Sequence, residues 1–122
     1  ILLIVSALSD SQLKEFKDIA ESLGLDVLVE IHNVEELQRI IPLNFPLIGI
    51  NNRNLSTFEV NLETTKRLST DLKDKLIVSE SGIKTKDDMD QILSYKVLNF
   101  LVGESFMRAD NPGSELERLF FS

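Results

Sequence analysis

The chain of 122 residues contains no cysteine, no tryptophan and only one histidine. Without cysteine there is no disulfide framework, no thiolate zinc site and no cysteine nucleophile. One histidine leaves too few of the usual nitrogen ligands for a zinc site, so we expect no bound metal. The chemistry of this protein must therefore come from carboxylates, amides, hydroxyls and backbone dipoles.

Basic residues are also scarce, since 13 Lys and Arg stand against 20 Asp and Glu, for a formal charge of −7. This balance offers no electrostatic footprint for nucleic acid and no basic block for an anionic membrane. The longest apolar runs fall far short of the roughly 20 residues that cross a bilayer. We expect a cytoplasmic protein that binds neither nucleic acid nor a membrane. The chain is long enough to bury a hydrophobic core.

The chain opens on an apolar run from Ile1 to Val5, with no Met and no basic segment before it. This pattern differs from a signal peptide and is typical of a β-strand buried on both faces. We therefore expect that residues 1–122 are one part of a larger domain, whose upstream units are missing.

Strand-like and helix-like patterns alternate five times. Apolar runs of strand length occupy residues 1–5, 27–31, 47–50, 76–78 and 99–102. Helix start signals stand at Ser9 with Gln12, Asn33, Thr85 with Asp88, and Asn111 before Pro112. Apolar side chains expected on buried helical faces are Leu13, Phe16, Ala20, Leu23, Val34, Leu37, Ile41, Leu62, Leu68, Met89, Ile92, Leu93, Leu116, Leu119 and Phe120, with Thr65, Met107 and Phe121 also expected to be packed.

Five βα units in 122 residues correspond to a repeat of about 24 residues, which fits a strand, a tight loop, a helix and a return. Such alternation predicts an α/β fold with a parallel sheet and right-handed crossovers. The sheet could be open and doubly wound, or it could be part of a (β/α)8 TIM barrel. The chain lacks the Gly-rich first turn of nucleotide-binding open sheets, which favours a partial barrel, namely its C-terminal five units.

Polar residues follow the predicted strands at the edge where parallel α/β sheets bind ligands. Glu30 ends the second strand, Asn51 the third and Glu80 the fourth. If Glu30 points into the barrel, partial desolvation should make it basic enough for proton transfer. Glu30 could instead be a structural carboxylate paired with Lys or Arg, Asn51 to Asn54 could be turn residues, and His32 is expected to cap or pack near the second helix.

Glycines in two consecutive loops indicate a phosphate site. Glu80-Ser81-Gly82 and Gly103-Glu104-Ser105 follow the last two strands, and a glycine allows backbone N–H groups to approach a ligand closely. Phosphate sites of barrels are frequently built from these two loops. Either glycine alone could simply make a turn, but the two together favour binding of a phosphorylated small molecule.

Four segments resemble the indole-3-glycerol phosphate synthase family, in order and with the expected spacing over essentially the whole chain. They are Val29-Glu30-Ile31-His32, Leu47-Ile48-Gly49-Ile50-Asn51-Asn52-Arg53-Asn54-Leu55, Val78-Ser79-Glu80-Ser81-Gly82-Ile83 and Leu101-Val102-Gly103-Glu104-Ser105-Phe106-Met107-Arg108. The resemblance implies the fourth to eighth βα units of a carboxy-lyase of tryptophan biosynthesis. That enzyme converts 1-(2-carboxyphenylamino)-1-deoxyribulose 5-phosphate to indole-3-glycerol phosphate, carbon dioxide and water without a cofactor.

The resemblance also implies residue roles. Glu30 would be the catalytic base, Asn51 would orient the substrate, and Glu80 with Ser81 would hold the reacting region. The remaining matched residues would line the substrate pocket, at Leu2, Arg53 and Leu101, or the phosphate site, at Gly82, Gly103, Glu104 and Ser105. The family's two lysines on its first and third strands have no counterpart here, and Lys75 and Lys84 do not stand at strand ends. The resemblance therefore implies that this chain alone is inactive.

Two alternatives remain open from the sequence. One is another phosphate-binding barrel enzyme, such as phosphoribosylanthranilate isomerase. The other is a non-catalytic half-barrel that retains a phosphate site and self-associates. In either case the open edges of a cut barrel expose unpaired backbone, so we expect pairing with a second copy or with the missing N-terminal part.

Overall fold

The computed structural model describes all 122 residues. It contains β1 (Leu2–Ile4), α1 (Asp10–Ser22), β2 (Leu28–Ile31), α2 (Val34–Ile40), β3 (Leu47–Asn51), α3 (Glu63–Ser69), β4 (Leu76–Glu80), α4 (Lys86–Ser94), β5 (Asn99–Leu101), α5 (Glu104–Arg108) and α6 (Pro112–Phe120). Single 3-10 turns follow β1 and α2. The sequence did not predict α5, because five residues are too few to show a helical period. None of the helices could span a membrane.

Side-chain caps fix the starts of the helices where the sequence predicted them. The hydroxyls of Ser9 and Thr85 accept from the backbone N–H three residues on, and the side chains of Gln12 and Asp88 return a bond to the cap backbone. These reciprocal bonds satisfy donors that would otherwise be free at a helix N-terminus. Both predicted capping boxes are therefore confirmed.

All five strands are parallel, and their order in the sheet is their order in the chain. A doubly wound sheet reverses its strand order at a switch point, whereas a (β/α)8 barrel adds each strand beside the previous one. The molecule is thus an α/β protein with the architecture of a partial barrel, as the sequence predicted.

The hydrophobic core lies between the sheet and its helices. Strand side chains that face the helices are buried, including Leu3, Val29, Ile31, Ile48, Ile50 and Ile77. From the helices, Leu13, Ala20, Leu37, Ile40, Leu68 and Ile92 complete the cluster. On the last helix, Phe120 stacks against Phe100 of β5 with ring centroids 5.7 Å apart. This contact confirms the predicted packing of Phe120.

Several side chains expected to be buried are exposed, namely Leu23, Val34, Ile41, Met107, Leu116 and Phe121. Four of them, Leu23, Val34, Ile41 and Phe121, lie at or just beyond helix ends. Ile41 belongs to the 3-10 turn that contains Pro42, and Ile40 is buried in its place. Met107 lies in the unpredicted α5, and it is 87% exposed. Leu116 is 43% exposed, whereas Leu119, one turn later, is fully buried.

The opposite face of the sheet has no second layer over it. Leu2 lies beside Leu28, and Leu47 lies beside Leu76, on this inner face. Leu2, Leu76 and Leu101 are 47%, 56% and 54% exposed. The expectation that the first strand is buried on both sides is therefore wrong, since only its helix-facing side is covered.

Candidate functional site

Loops after four strands enclose a cavity of about 510 Å³ at the carboxyl edge of the sheet. All but one of the site residues predicted from the sequence line it, namely Glu30, Asn51, Arg53, Glu80, Ser81, Gly82, Leu101, Gly103, Glu104 and Ser105. Leu2 is the exception. It pairs in register with Leu28, two residues before Glu30, so it lies one layer below the cavity.

Glu30, which lines the cavity, forms an ion pair with His32 behind it. Glu30 Oε2 lies 3.3 Å from His32 Nε2, and both side chains are more than nine-tenths buried. The contact is at ion-pair distance without the alignment of a good hydrogen bond, so His32 Nε2 has no hydrogen-bond partner. The pairing lowers the pKa of Glu30 to about 2, with His32 as the main cause.

This ion pair corrects two expectations for Glu30. The side chain is partly desolvated as predicted, but the nearby imidazole lowers its pKa instead of leaving a strongly basic carboxylate. Its structural partner is also a histidine rather than a Lys or Arg. Both errors have one cause. The alternation of side chains along a strand does not predict that His32 Nε2 lies beside the Glu30 carboxylate.

Glu80 is the carboxyl group that retains a proton. Its pKa is raised to about 8, mainly by burial and secondly by the neighbouring Glu30. Its Oε1 atom is buried without a hydrogen-bond partner, which favours the neutral form of the group. The two carboxyl groups therefore hold opposite protonation states at neutral pH.

Gly49 provides the space that Glu80 occupies. In the sheet register Gly49 lies beside Glu30, and a Cβ atom at Gly49 would come within 2.2 Å of Glu80 Oε1. A larger residue would push the Glu80 carboxyl out of its place. The glycine thus has a steric role in the site that sequence reasoning did not identify.

Asn51 connects the ends of β3 and β4. Its Oδ1 atom accepts hydrogen bonds from Ser81 Oγ at 2.8 Å and from the backbone N–H of Arg53 at 3.0 Å. Asn51 and Glu80 are direct neighbours in the register. The side chain is therefore fixed on the cavity wall next to both carboxyl groups.

Asn52 belongs to a buried polar network outside the cavity. Its amide nitrogen donates to Ser79 Oγ and to the carbonyl of Ser81, and its oxygen accepts from the hydroxyl of Thr65 at 2.8 Å. The hydroxyl groups of Thr65 and Ser79 also lie 2.8 Å apart. A fully satisfied network of this kind anchors a loop firmly. Asn54, which accepts from the backbone N–H groups of Ser56 and Thr57, fits the turn role considered from the sequence, and Asn51 makes a similar bond to Arg53.

Ion pairs link the rim of the cavity from one side to the other. Arg53 Nη2 lies 3.0 Å from Glu104 Oε2, and Arg108 Nε lies 3.1 Å from Glu104 Oε1. Ser105 Oγ donates to the carbonyl of Ile83 at 2.8 Å. These contacts hold the loop after β5 against the loops after β3 and β4.

The two glycine loops both line the cavity, and the bond from Ser105 to Ile83 joins one to the other. Gly82 has φ +83°, and a Cβ there would meet the Val60 side chain at 2.5 Å, whereas a Cβ at Gly103 would meet nothing within 4 Å. The backbone conformation and close packing at Gly82 thus require a glycine. Gly103 instead has open space beside its Cα atom. Lys84 also lines the cavity, although, as expected from the sequence, it does not stand at a strand end, since β4 ends at Glu80.

Solved structures share this architecture. A structure from the BexX/CysO complex of Amycolatopsis orientalis is 13% identical, with a TM-score of 0.67 over 91% of this chain and 46% of that chain. KGPDC from Streptococcus mutans is 17% identical, with a TM-score of 0.62 over 98% of this chain and 60% of that one. At such low identity the likeness shows the fold alone, and this chain spans about half the length of these structures.

The fold and the cavity at its carboxyl edge define an α/β protein of the barrel class. Within that class, the family model of indole-3-glycerol phosphate synthase matches residues 1–119. The chain belongs to this family.

The position of Gly49 leads to a prediction about Glu80. In Gly49→Ala the added methyl group displaces the Glu80 carboxyl toward solvent, so the pKa of Glu80 should fall from about 8 toward its ordinary range. Carboxyl carbon NMR titration measures the change. We expect a loss of stability of about 1–3 kcal/mol from overpacking. Gly103→Ala is the matched control, and its loss of stability should be less than about 0.5 kcal/mol. An unchanged Glu80 titration in Gly49→Ala would contradict the steric role assigned to Gly49.

The proton held by Glu80 predicts how stability depends on pH. Between its ordinary pKa of 4.5 and its native value of about 8, the folded protein holds a proton that the unfolded chain releases. The free energy of unfolding must therefore fall as the pH rises through this range. His32, with its pKa raised to about 9, contributes a further fall that is largest between its ordinary value of 6.5 and about 9.

Urea unfolding between about pH 5 and pH 6.5 isolates the contribution of Glu80. Glu80→Gln should abolish the decline seen in the native sequence. Glu63→Gln, at the exposed start of α3, should leave that decline in place. Equal slopes for Glu80→Gln and the native sequence would show that Glu80 is not the group responsible.

Proposed function

We propose that this chain supplies the proton-transfer and phosphate-binding side of an indole-3-glycerol-phosphate synthase. The reaction closes the ring of 1-(2-carboxyphenylamino)-1-deoxyribulose 5-phosphate and releases one carbon dioxide and one water. It would make the protein a carboxy-lyase of tryptophan biosynthesis that acts in the cytoplasm. The observation that carries the proposal is the pair of carboxyl groups with opposite protonation states, facing the same cavity as two glycine loops.

Glu30 and Glu80 would divide the proton transfers between them. Glu30 is ionised at neutral pH and can accept a proton during rearomatisation and dehydration. Glu80 holds a proton under the same conditions and can donate one, for example to the departing hydroxyl group. Environments that separate the pKa values of two neighbouring carboxyl groups are a recurrent means of assigning acid and base roles.

The substrate's polar groups would contact the rest of the cavity wall. Asn51 and Ser81 are already hydrogen-bonded to each other, so they present a fixed surface to the ribulose portion. Leu101 supplies an apolar contact for the aromatic ring, and Arg53 supplies a cation at the rim. Binding in one orientation is what places a reacting atom near a catalytic group.

The phosphate would bind between the two glycine loops. Both carboxylate oxygens of Glu104 are already paired with arginines, so the backbone N–H of this residue, rather than its side chain, would contact the phosphate. The open space beside Gly103 accommodates the anion. The hydroxyl of Ser105 donates to Ile83, which makes this residue a support of the loop. Lys84 adds a cation to the same wall.

The isolated chain should bind without catalysing the reaction. The family's two strand-borne lysines have no counterpart here, so the acid that polarises the ribulose carbonyl would come from outside this chain. Purified chain, mixed with the substrate and followed by indole fluorescence, should show no turnover above background. Measurable turnover would contradict the assignment of the acid to residues outside this chain.

Calorimetric titration with indole-3-glycerol phosphate tests the binding half of the proposal. The same compound without its phosphate is the matched control, and we expect it to bind at least about 10-fold more weakly, the loss that one or two hydrogen bonds to a charged group would cause. Equal affinity for both compounds would remove the phosphate site. Absence of binding by either would contradict the proposed function of the cavity.

The uncovered inner face of the sheet favours a partner, and we propose that this partner is the remaining strands of a barrel. Leu2, Leu76 and Leu101 are about half exposed on this face, and β1 and β5 are both edge strands. Unpaired backbone and exposed leucines at an edge promote association. Solved structures of the same architecture are about twice as long as this chain, which leaves length for the covering strands.

Sedimentation at micromolar concentration tests this partner. The isolated chain should associate with itself, because its own copies are then the only source of strands. Replacing Leu76 by Lys should weaken association, whereas Leu98→Lys, on a still more exposed leucine outside the strands, should not. A clean monomer of the native sequence would contradict the proposal.

A further inference from the structure

His32 is held from both sides by carboxylates. Its Nδ1 atom lies 3.0 Å from Glu36 Oε2, and the same oxygen accepts the backbone N–H of His32 at 2.7 Å. On the other side of the ring, Nε2 lies 3.3 Å from Glu30 Oε2. The imidazole therefore connects an acid on α2 with an acid at the end of β2.

The position of Glu36 follows from the start of α2. Asn33 caps this helix by accepting the backbone N–H of Glu36 at 2.8 Å, which fixes Glu36 in the first turn. The side chain of Glu36 is 12% exposed, and its carboxylate points back at the residue before the cap. The capping geometry thus orients the ring of His32, because Glu36 holds both its backbone and its Nδ1 atom.

Two buried polar atoms near the Glu30 carboxylate have no hydrogen-bond partner. His32 Nε2 and Glu80 Oε1 are the only buried side-chain polar atoms that lack a hydrogen bond. Both belong to residues that interact with Glu30. An unpaired buried polar atom is costly, and two of them around one carboxylate indicate a site built for interactions that form when a ligand or a proton arrives.

We propose that His32 is a positioning residue, which Glu36 orients and which holds the Glu30 carboxylate ionised and in place beside Glu80. The inference rests on the proposed function in one respect, because there Glu30 is the proton acceptor. His32 lies outside the main cavity and need not touch the substrate. Its effect passes through Glu30.

Other charged groups near the ring are few. The polar cleft on the outer side of His32 is lined by Glu59 and Arg67, besides asparagines and Thr64. These two side chains are exposed, and Arg67 is not within ion-pair distance of an acid. Glu30 and Glu36 are therefore the groups that control the charge on His32.

NMR titration of the chain itself tests the proposal without any substrate. His32 is the only histidine, so its imidazole signals need no further assignment. The signal of the Glu30 carboxyl carbon is identified by its loss in Glu30→Gln. In the native sequence Glu30 should remain ionised from about pH 7 down to about pH 3.5, and in His32→Gln its midpoint should rise to 4.5 or above.

The imidazole provides the second measurement. His32 should titrate well above its ordinary pKa of 6.5, and its midpoint should fall by at least about one pH unit in both Glu30→Gln and Glu36→Gln. Glu35→Gln, at the exposed neighbouring position of α2, is the matched control and should change the midpoint little.

Two results overturn the proposal. One is a Glu30 titration that is the same in folded His32→Gln as in the native sequence, since a ring that only packs would leave it unchanged. If that variant does not fold, an unchanged His32 midpoint in Glu30→Gln overturns it equally. Neither measurement involves a phosphorylated compound, so failure of substrate binding and failure of this inference are separate outcomes.

Discussion

Two buried carboxyl groups share one nearby cation at the carboxyl edge of this sheet, and the site depends on that imbalance. His32 lies at ion-pair distance from Glu30 and is itself held by Glu36. Glu80 lies in the same buried region without a cation of its own, so removing it from water favours its neutral form. Because only Glu30 has the imidazole beside it, the two carboxyl groups of one cavity differ in pKa and in protonation at neutral pH.

The regular parallel sheet makes this arrangement possible. Because consecutive strands are neighbours in register, Glu30 lies beside Gly49, and Asn51 lies beside Glu80. The missing side chain of Gly49 leaves room for the Glu80 carboxyl between them. Buried hydrogen bonds from Asn52 to the end of β4 then hold the adjoining loop. The cavity is thus fixed by backbone pairing first and by polar side chains second.

Much of the site could be predicted because strand ends are readable in a sequence. Glu30, Asn51 and Glu80 follow apolar runs, and in a parallel sheet such positions meet at one edge. His32 was readable only as a neighbour of α2, since nothing in its spacing specifies which carboxylate its second nitrogen approaches. Lys84 was set aside because it does not stand at a strand end, yet the loop after β4 places it on the cavity wall. The exposed apolar residues at helix ends were wrongly expected to be buried for a related reason, since periodicity does not say where a helix stops contacting the sheet.

The sequence by itself determined the alternation of five strands with helices, the capped helix starts and the set of polar residues at the strand ends. These features depend on local periods and on hydrogen bonds between residues three or four apart, which a single chain segment already specifies. Only the tertiary structure decided which of the carboxyl groups carries a proton. Protonation depends on burial and on distances between side chains from different strands, and those quantities do not exist until the strands are side by side.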